Sequence, residues 1–130
     1  MTKTNILKYL FIAFYLVAGI NHFAQPQIYY PLIPSYLSEY AVPINVVAGF
    51  AEVIIAVLMI YHNTAKLSSW LAILMLLAFI PSHIYFIQAG NLSIGNFTIT
   101  PFIAWIRLIL IHPLLIFWAW WLGKKLTTSK

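Results

Sequence analysis

Four apolar runs, each close to the length of a membrane-crossing helix, fill most of this 130-residue chain. They fall at about residues 6–23, 44–61, 67–88 and 101–122. Only 7% of the residues are charged and 63% are hydrophobic. A soluble domain carries about 25% charged residues. So few charges cannot cover a globule with a wetted surface. The expectation is an all-α integral membrane protein, one transmembrane domain over residues 1–130, with no separate soluble domain.

The net charge is +5, and the placement of the charges says what it is for. Lys3, Lys8, Lys66, Lys124, Lys125 and Lys130 all flank apolar runs. Segments 24–43 and 89–100 contain neither Lys nor Arg. The positive-inside rule then puts both termini and the 62–66 connector in the cytoplasm. That is an up-down four-helix bundle in a plasma (bacterial inner) membrane. Lys3 and Lys8 ahead of an apolar run also fit a signal peptide, but no small-x-small cleavage site follows, so a retained helix is expected. The expected partner is the lipid bilayer. Redox or other membrane subunits, or a second copy, are further candidates; nucleic acid is not.

Between the first two runs the chain changes character. Residues 24–43 hold Pro26, Pro31, Pro34 and Pro43 with Tyr29, Tyr30, Tyr36 and Tyr40. The prolines forbid one long helix. The tyrosines suit a headgroup zone. A Pro/Tyr-rich outer cap is expected here. Residues 89–100, rich in Gly, Asn, Ser and Thr, read as a loop.

The polar residues inside the apolar runs are few. Helical rise places Glu52 roughly 12 Å, His83 roughly 8 Å and Arg107 roughly 9 Å below the outer ends of their helices. His22 lies at the outer end of the first helix, and His112 roughly 16 Å down the fourth. An isolated ionised side chain in a bilayer costs on the order of 3 kcal/mol. Glu52 and Arg107 are the only carboxylate and guanidinium within the runs, so a pair between helices two and four is expected. Ala18, Gly19 and His22 share one helical face; Asn45, Gly49, Glu52 and Ala56 share another. Small residues let helices approach closely in lipid, so these faces should pack together. One ligand site is expected from His22, Glu52, His83 and Arg107, covered by Tyr29 and Tyr30, with Tyr36 beside them.

Cysteine is absent, which excludes disulfides, thiolate nucleophiles and thiolate-held clusters. A redox role would need a bound cofactor or a partner. His22, His83 and Glu52 could make a two-His-one-carboxylate metal triad. No local pair of the His-Glu-x-x-His type supports it, and neither metal nor haem is expected. His112-Pro113 reads as a kink with its imidazole bonded across helices.

Several stretches together resemble the DoxX-like family of small four-helix membrane proteins. They are Gly19-x-x-His22-Phe23-x-x-Pro26 continuing to Pro34, then Gly49-x-x-Glu52, then Pro81-x-His83-Ile84-Tyr85, then Arg107 with a Trp-rich end. Related sequences often read Pro-Ala-Asn-Ile-Tyr at the third of these. The resemblance covers nearly the whole chain. It implies an up-down bundle and an association with quinones or redox subunits, and it assigns no reaction. The leading functional expectation is therefore an accessory or redox-associated membrane protein with a small apolar, quinone-like ligand in the outer half of the bilayer. Two alternatives stand beside it. One is an enzyme using His22 or His83 as acid/base with Glu52 and Arg107. The other is a structural or assembly protein with no ligand.

Overall fold

The computed structural model describes residues 1–128. Helix α1, Lys3–Ala24, starts at Thr2, whose hydroxyl accepts from the Asn5 N–H at 3.2 Å. The next segment forms three 3₁₀ turns, Pro26–Ile28, Tyr30–Leu32 and Ser35–Tyr40. Helix α2, Ala41–Ile60, begins earlier than expected, ahead of Pro43. Proline is tolerated there because first-turn N–H groups have no intrahelical acceptor.

The third apolar run is two helices, α3 (Ala65–Ala78) and α4 (Ile80–Ala89). Pro81 supplies the break, since it lacks the N–H that would continue the ladder. The expected loop at 89–100 contains a hairpin, β1 (Leu92–Ile94) with β2 (Phe97–Ile99). Its two-residue turn is Gly95-Asn96, with Gly95 at φ +59°. A positive φ at the first turn residue is what glycine allows, and it matches the twist of the strands. The fourth run comprises α5 (Pro101–Ile106), a π-helical turn (Arg107–Ile111) and α6 (His112–Thr128). In the π turn the His112 N–H donates to Arg107 O. Pro113 accounts for it. Its ring would clash with the carbonyl four residues back, and a wider turn relieves the clash.

Four stretches are long and apolar enough to cross a membrane: Lys3–Ala24, Ser35–Ile60, Ala65–Ala89 and Pro101–Thr128. Their outward faces are apolar. Val17, Val47, Leu74 and Ile109 are 67%, 66%, 64% and 64% exposed. Faces like these belong in lipid, and the chain is built as a membrane protein.

Helix α1 packs on α2, α2 on α3, and α3 on α6; α6 touches α1 only lightly. Phe11, Tyr15, Ile55, Met59, Ala72 and Leu122 form the main core. A second cluster, Phe86, Ile99 and Ala104, is covered by the hairpin residues Leu92 and Ile94 and by Leu32 of the 3₁₀ segment. The chain ends lie together: Thr2, Asn5, Lys125 and Thr128 line one surface hollow. Lys8 Nζ donates to Ile60 O at 2.7 Å at the same end. The hairpin and the 3₁₀ segment occupy the other end.

The expected small-residue faces of α1 and α2 do meet. A Cβ at Gly19 would lie 2.9 Å from Gly49 O and 2.8 Å from Val53 Cγ2. One at Gly49 would lie 2.8 Å from His22 Cβ. Only hydrogen fits at these crossings. A second close crossing, Gly123 on Ser69, joins α6 to α3.

Candidate functional site

The α1–α2 crossing places three polar side chains in a buried row. Asn45 Nδ2 donates to His22 O at 2.9 Å. That orients the amide, so its Oδ1 faces His22 Nδ1, 2.6 Å away. An amide oxygen only accepts, hence Nδ1 carries a hydrogen. His22 Nε2 is left facing Glu52 Oε2 at 3.5 Å. With Nδ1–H turned to Asn45, Nε2 is the ring nitrogen placed to give a proton to the carboxyl group or take one from it.

The 3₁₀ segment adds a cover. Tyr29 stacks on the His22 ring, centroids 3.6 Å apart and planes 21° from parallel. Its hydroxyl accepts from Asn21 Nδ2 at 2.9 Å. Asn21 and Tyr29 also close one end of an apolar groove along α1, lined by Leu10, Ala13, Phe14, Val17, Ala18 and Trp118. This groove runs where α6 meets α1 lightly. Within the row, Glu52 Oε2 and, about two turns along α1 from His22, the Tyr15 hydroxyl are buried without a hydrogen-bond partner. Buried polar atoms are seldom left so.

His83 and Arg107 belong to a second group. The His83 ring meets His112 edge-on at 4.6 Å and Phe86 at 5.9 Å. His112 Nε2 donates to Leu76 O at 2.5 Å, across from α6 to the end of α3, as the expected kink with a cross-helix bond requires. Arg107 lies over the Phe86 ring, 5.3 Å from its centroid.

The expected Glu52–Arg107 pair does not form. Among the described residues the carboxylate of Glu52 has His22 as its one ion-pair partner. Depth along a helix says nothing of azimuth, and Arg107 is turned to Phe86 of α4. Tyr30 is half-buried and makes no side-chain hydrogen bond among the described residues; Tyr36 is exposed. No group of three or more metal-binding side chains is assembled among the described residues. Asn45, Asn21 and Phe86 were not expected at the site. For Asn45 the signal was present, since it shares the Glu52 face of its helix at i, i+7.

Fold and site together define a small helical membrane protein with a buried His–Asn–Glu row. The chain belongs to the family described as domain of unknown function DUF8561, whose model matches residues 11–123. No curated protein and no solved structure matches it.

Proposed function

We propose that the protein is an up-down four-helix bundle of the plasma membrane, with both termini cytoplasmic, that binds a small apolar molecule with a hydrogen-bonding head. A quinone has that chemistry: carbonyl oxygens that accept hydrogen bonds and a tail that partitions into lipid. The tail would lie in the groove beside Leu10, Phe14, Val17 and Trp118. The head would meet Asn21, Tyr29 and the polar pair of His22 and Glu52, with Tyr30 adjoining. An accessory, redox-associated role follows from such a ligand and agrees with the resemblance to DoxX-like proteins.

One observation carries this reading. The groove that faces lipid ends on the same Tyr29 that stacks on His22. A ligand entering from the bilayer therefore reaches the buried His22–Glu52 pair through one aromatic ring. The test is to purify the protein in a mild detergent and identify what accompanies it by mass analysis. The expected result is an isoprenoid quinone or similar molecule near one per chain, lost in Tyr29→Ala while the helical circular dichroism is kept. A well-folded wild type that carries nothing, and takes up no added quinone, contradicts the proposal.

A catalytic reading has one observation in its favour. Asn45 holds His22 Nδ1–H, which leaves Nε2 free to exchange a proton with Glu52 or with a bound group. In that reading His22 is the acid/base and Glu52 its proton reservoir. Turnover of a quinol that disappears in Glu52→Gln, with binding retained, distinguishes it from binding alone.

A further inference from the structure

Arg107 is a guanidinium without an anion. The chain has two acidic residues, Glu39 and Glu52. Glu52 faces His22, and among the described residues no carboxylate comes within ion-pairing distance of Arg107. Its one close neighbour of opposite polarity is the face of the Phe86 ring, at 5.3 Å. An aromatic face attracts a cation but does not neutralise it.

His83 adds a second unfilled group at the same ring. It stands edge-on to Phe86, is only 7% exposed, and its Nδ1 has no hydrogen-bond partner. His112 cannot take this role, because its Nε2–H is committed to Leu76 O. So the Phe86 ring gathers a charged fork of N–H donors and a buried imidazole nitrogen, and among the described residues no carboxylate pairs with the first and no partner bonds the second.

Position says where the acceptor comes from. Arg107 lies roughly 9 Å along its helix from Pro101, within reach of a headgroup layer for a side chain of that length. Neighbours on the same helix face outward: Phe102 is 73% exposed, Trp105 48% and Leu110 63%. An acyl chain can lie along them while its headgroup turns in. We infer that Arg107 and His83 form a binding site for an oxyanion, a phosphate or carboxylate, carried as the headgroup of an amphiphile. Arg binds such groups through two parallel N–H···O bonds, and His83 Nδ1–H supplies a third. The inference uses none of the residues of the His22–Glu52 site and does not depend on what that site binds.

The experiment is native mass spectrometry of the protein in a neutral detergent. It is exposed in separate arms to dioleoyl phosphatidylglycerol, oleate, dioleoylglycerol (which carries no oxyanion) and inorganic phosphate. Wild type should retain one anionic amphiphile per chain with at least about tenfold preference over dioleoylglycerol, which offers the guanidinium fork no oxyanion. Phosphate bound with no amphiphile overturns the amphiphile, whereas retention of phosphatidylglycerol identifies a phosphate headgroup and retention of oleate a carboxylate. Either retention supports the site when Arg107→Gln abolishes it and Glu52→Gln leaves it unchanged. Arg107→Lys keeps the charge and loses the fork, and should bind severalfold more weakly. Equal retention of all three lipids by wild type overturns the inference and needs no variant. So does a preference that survives Arg107→Gln, which would belong to the lysines.

Discussion

Glu52 Oε2 lies 3.5 Å from His22 Nε2, and this buried contact joins α1 to α2 beside the Gly19–Gly49 crossing. The lysine-poor end of the molecule thus carries two polar groups, one centred on His22 and one on Phe86. Four consequences can be measured, and a fifth bears on the account as a whole.

The first concerns coupling. Glu52→Gln and Arg107→Met should destabilise additively, with an interaction energy under about 0.5 kcal/mol, because the two side chains share no partner. Glu52→Gln and His22→Gln should couple by about 0.5–3 kcal/mol, as contacting residues do. A double-mutant cycle in reversible detergent unfolding gives both numbers. Strong coupling of Glu52 to Arg107 would show that the pair forms after all.

The helix crossings give the second. Gly19→Ala forces a Cβ against the Gly49 carbonyl and the Val53 N–H, both backbone atoms 2.9 Å away. Backbone cannot step aside without moving a helix, and overpacking of this kind costs about 1–3 kcal/mol. Gly123→Ala meets the Ser69 side chain at 2.8 Å, including its rotatable hydroxyl. It should cost less than Gly19→Ala in the same unfolding assay. The reverse order would mean the α1–α2 crossing is looser than described.

How much of this could be read from the residues alone depends on the kind of signal. The four spans were legible because apolar length is a one-dimensional property. The α1–α2 contact was legible too, since Gly19 with His22 and Gly49 with Glu52 repeat at helical spacing. The partner of Glu52 was not. Axial depth puts Arg107 near the same level, but depth carries no azimuth, and the Arg107 side chain turns to Phe86 of α4 instead of towards α2. The hairpin at Leu92–Ile99 hid in a segment whose composition reads only as loop. Its Gly95-Asn96 turn carries the pairing, and the strands are just three residues each.

Asn45 supplies the third. It fixes His22 in the Nδ1–H form and also bonds the His22 carbonyl. Asn45→Leu should remove both bonds and cost about 1–3 kcal/mol for the groups left unpaired. Nitrogen NMR of labelled histidine should show His22 protonated at Nδ1 in wild type. In Asn45→Leu that preference should disappear. An unchanged spectrum would mean that Asn45 does not hold the tautomer.

Orientation is the fourth. The chain has no cysteine, so a single introduced thiol reports its own position. Ser35→Cys should react with a membrane-impermeant maleimide from outside intact cells, and Lys66→Cys only after the membrane is opened. Labelling of Ser35→Cys from the cytoplasm alone would invert the topology.

The central claim is that the groove beside α1 delivers an apolar ligand to Tyr29 and the His22–Glu52 pair. Titration of the purified protein with decylubiquinone tests it directly, read as quenching of Trp118, which lines the groove. Comparison with Trp118→Phe isolates that signal from the other tryptophans. The account predicts saturable quenching that Tyr29→Ala weakens at least about tenfold, the scale of one lost aromatic contact together with its hydrogen bond. Quenching that rises linearly without saturation, and identically in Tyr29→Ala, would contradict it.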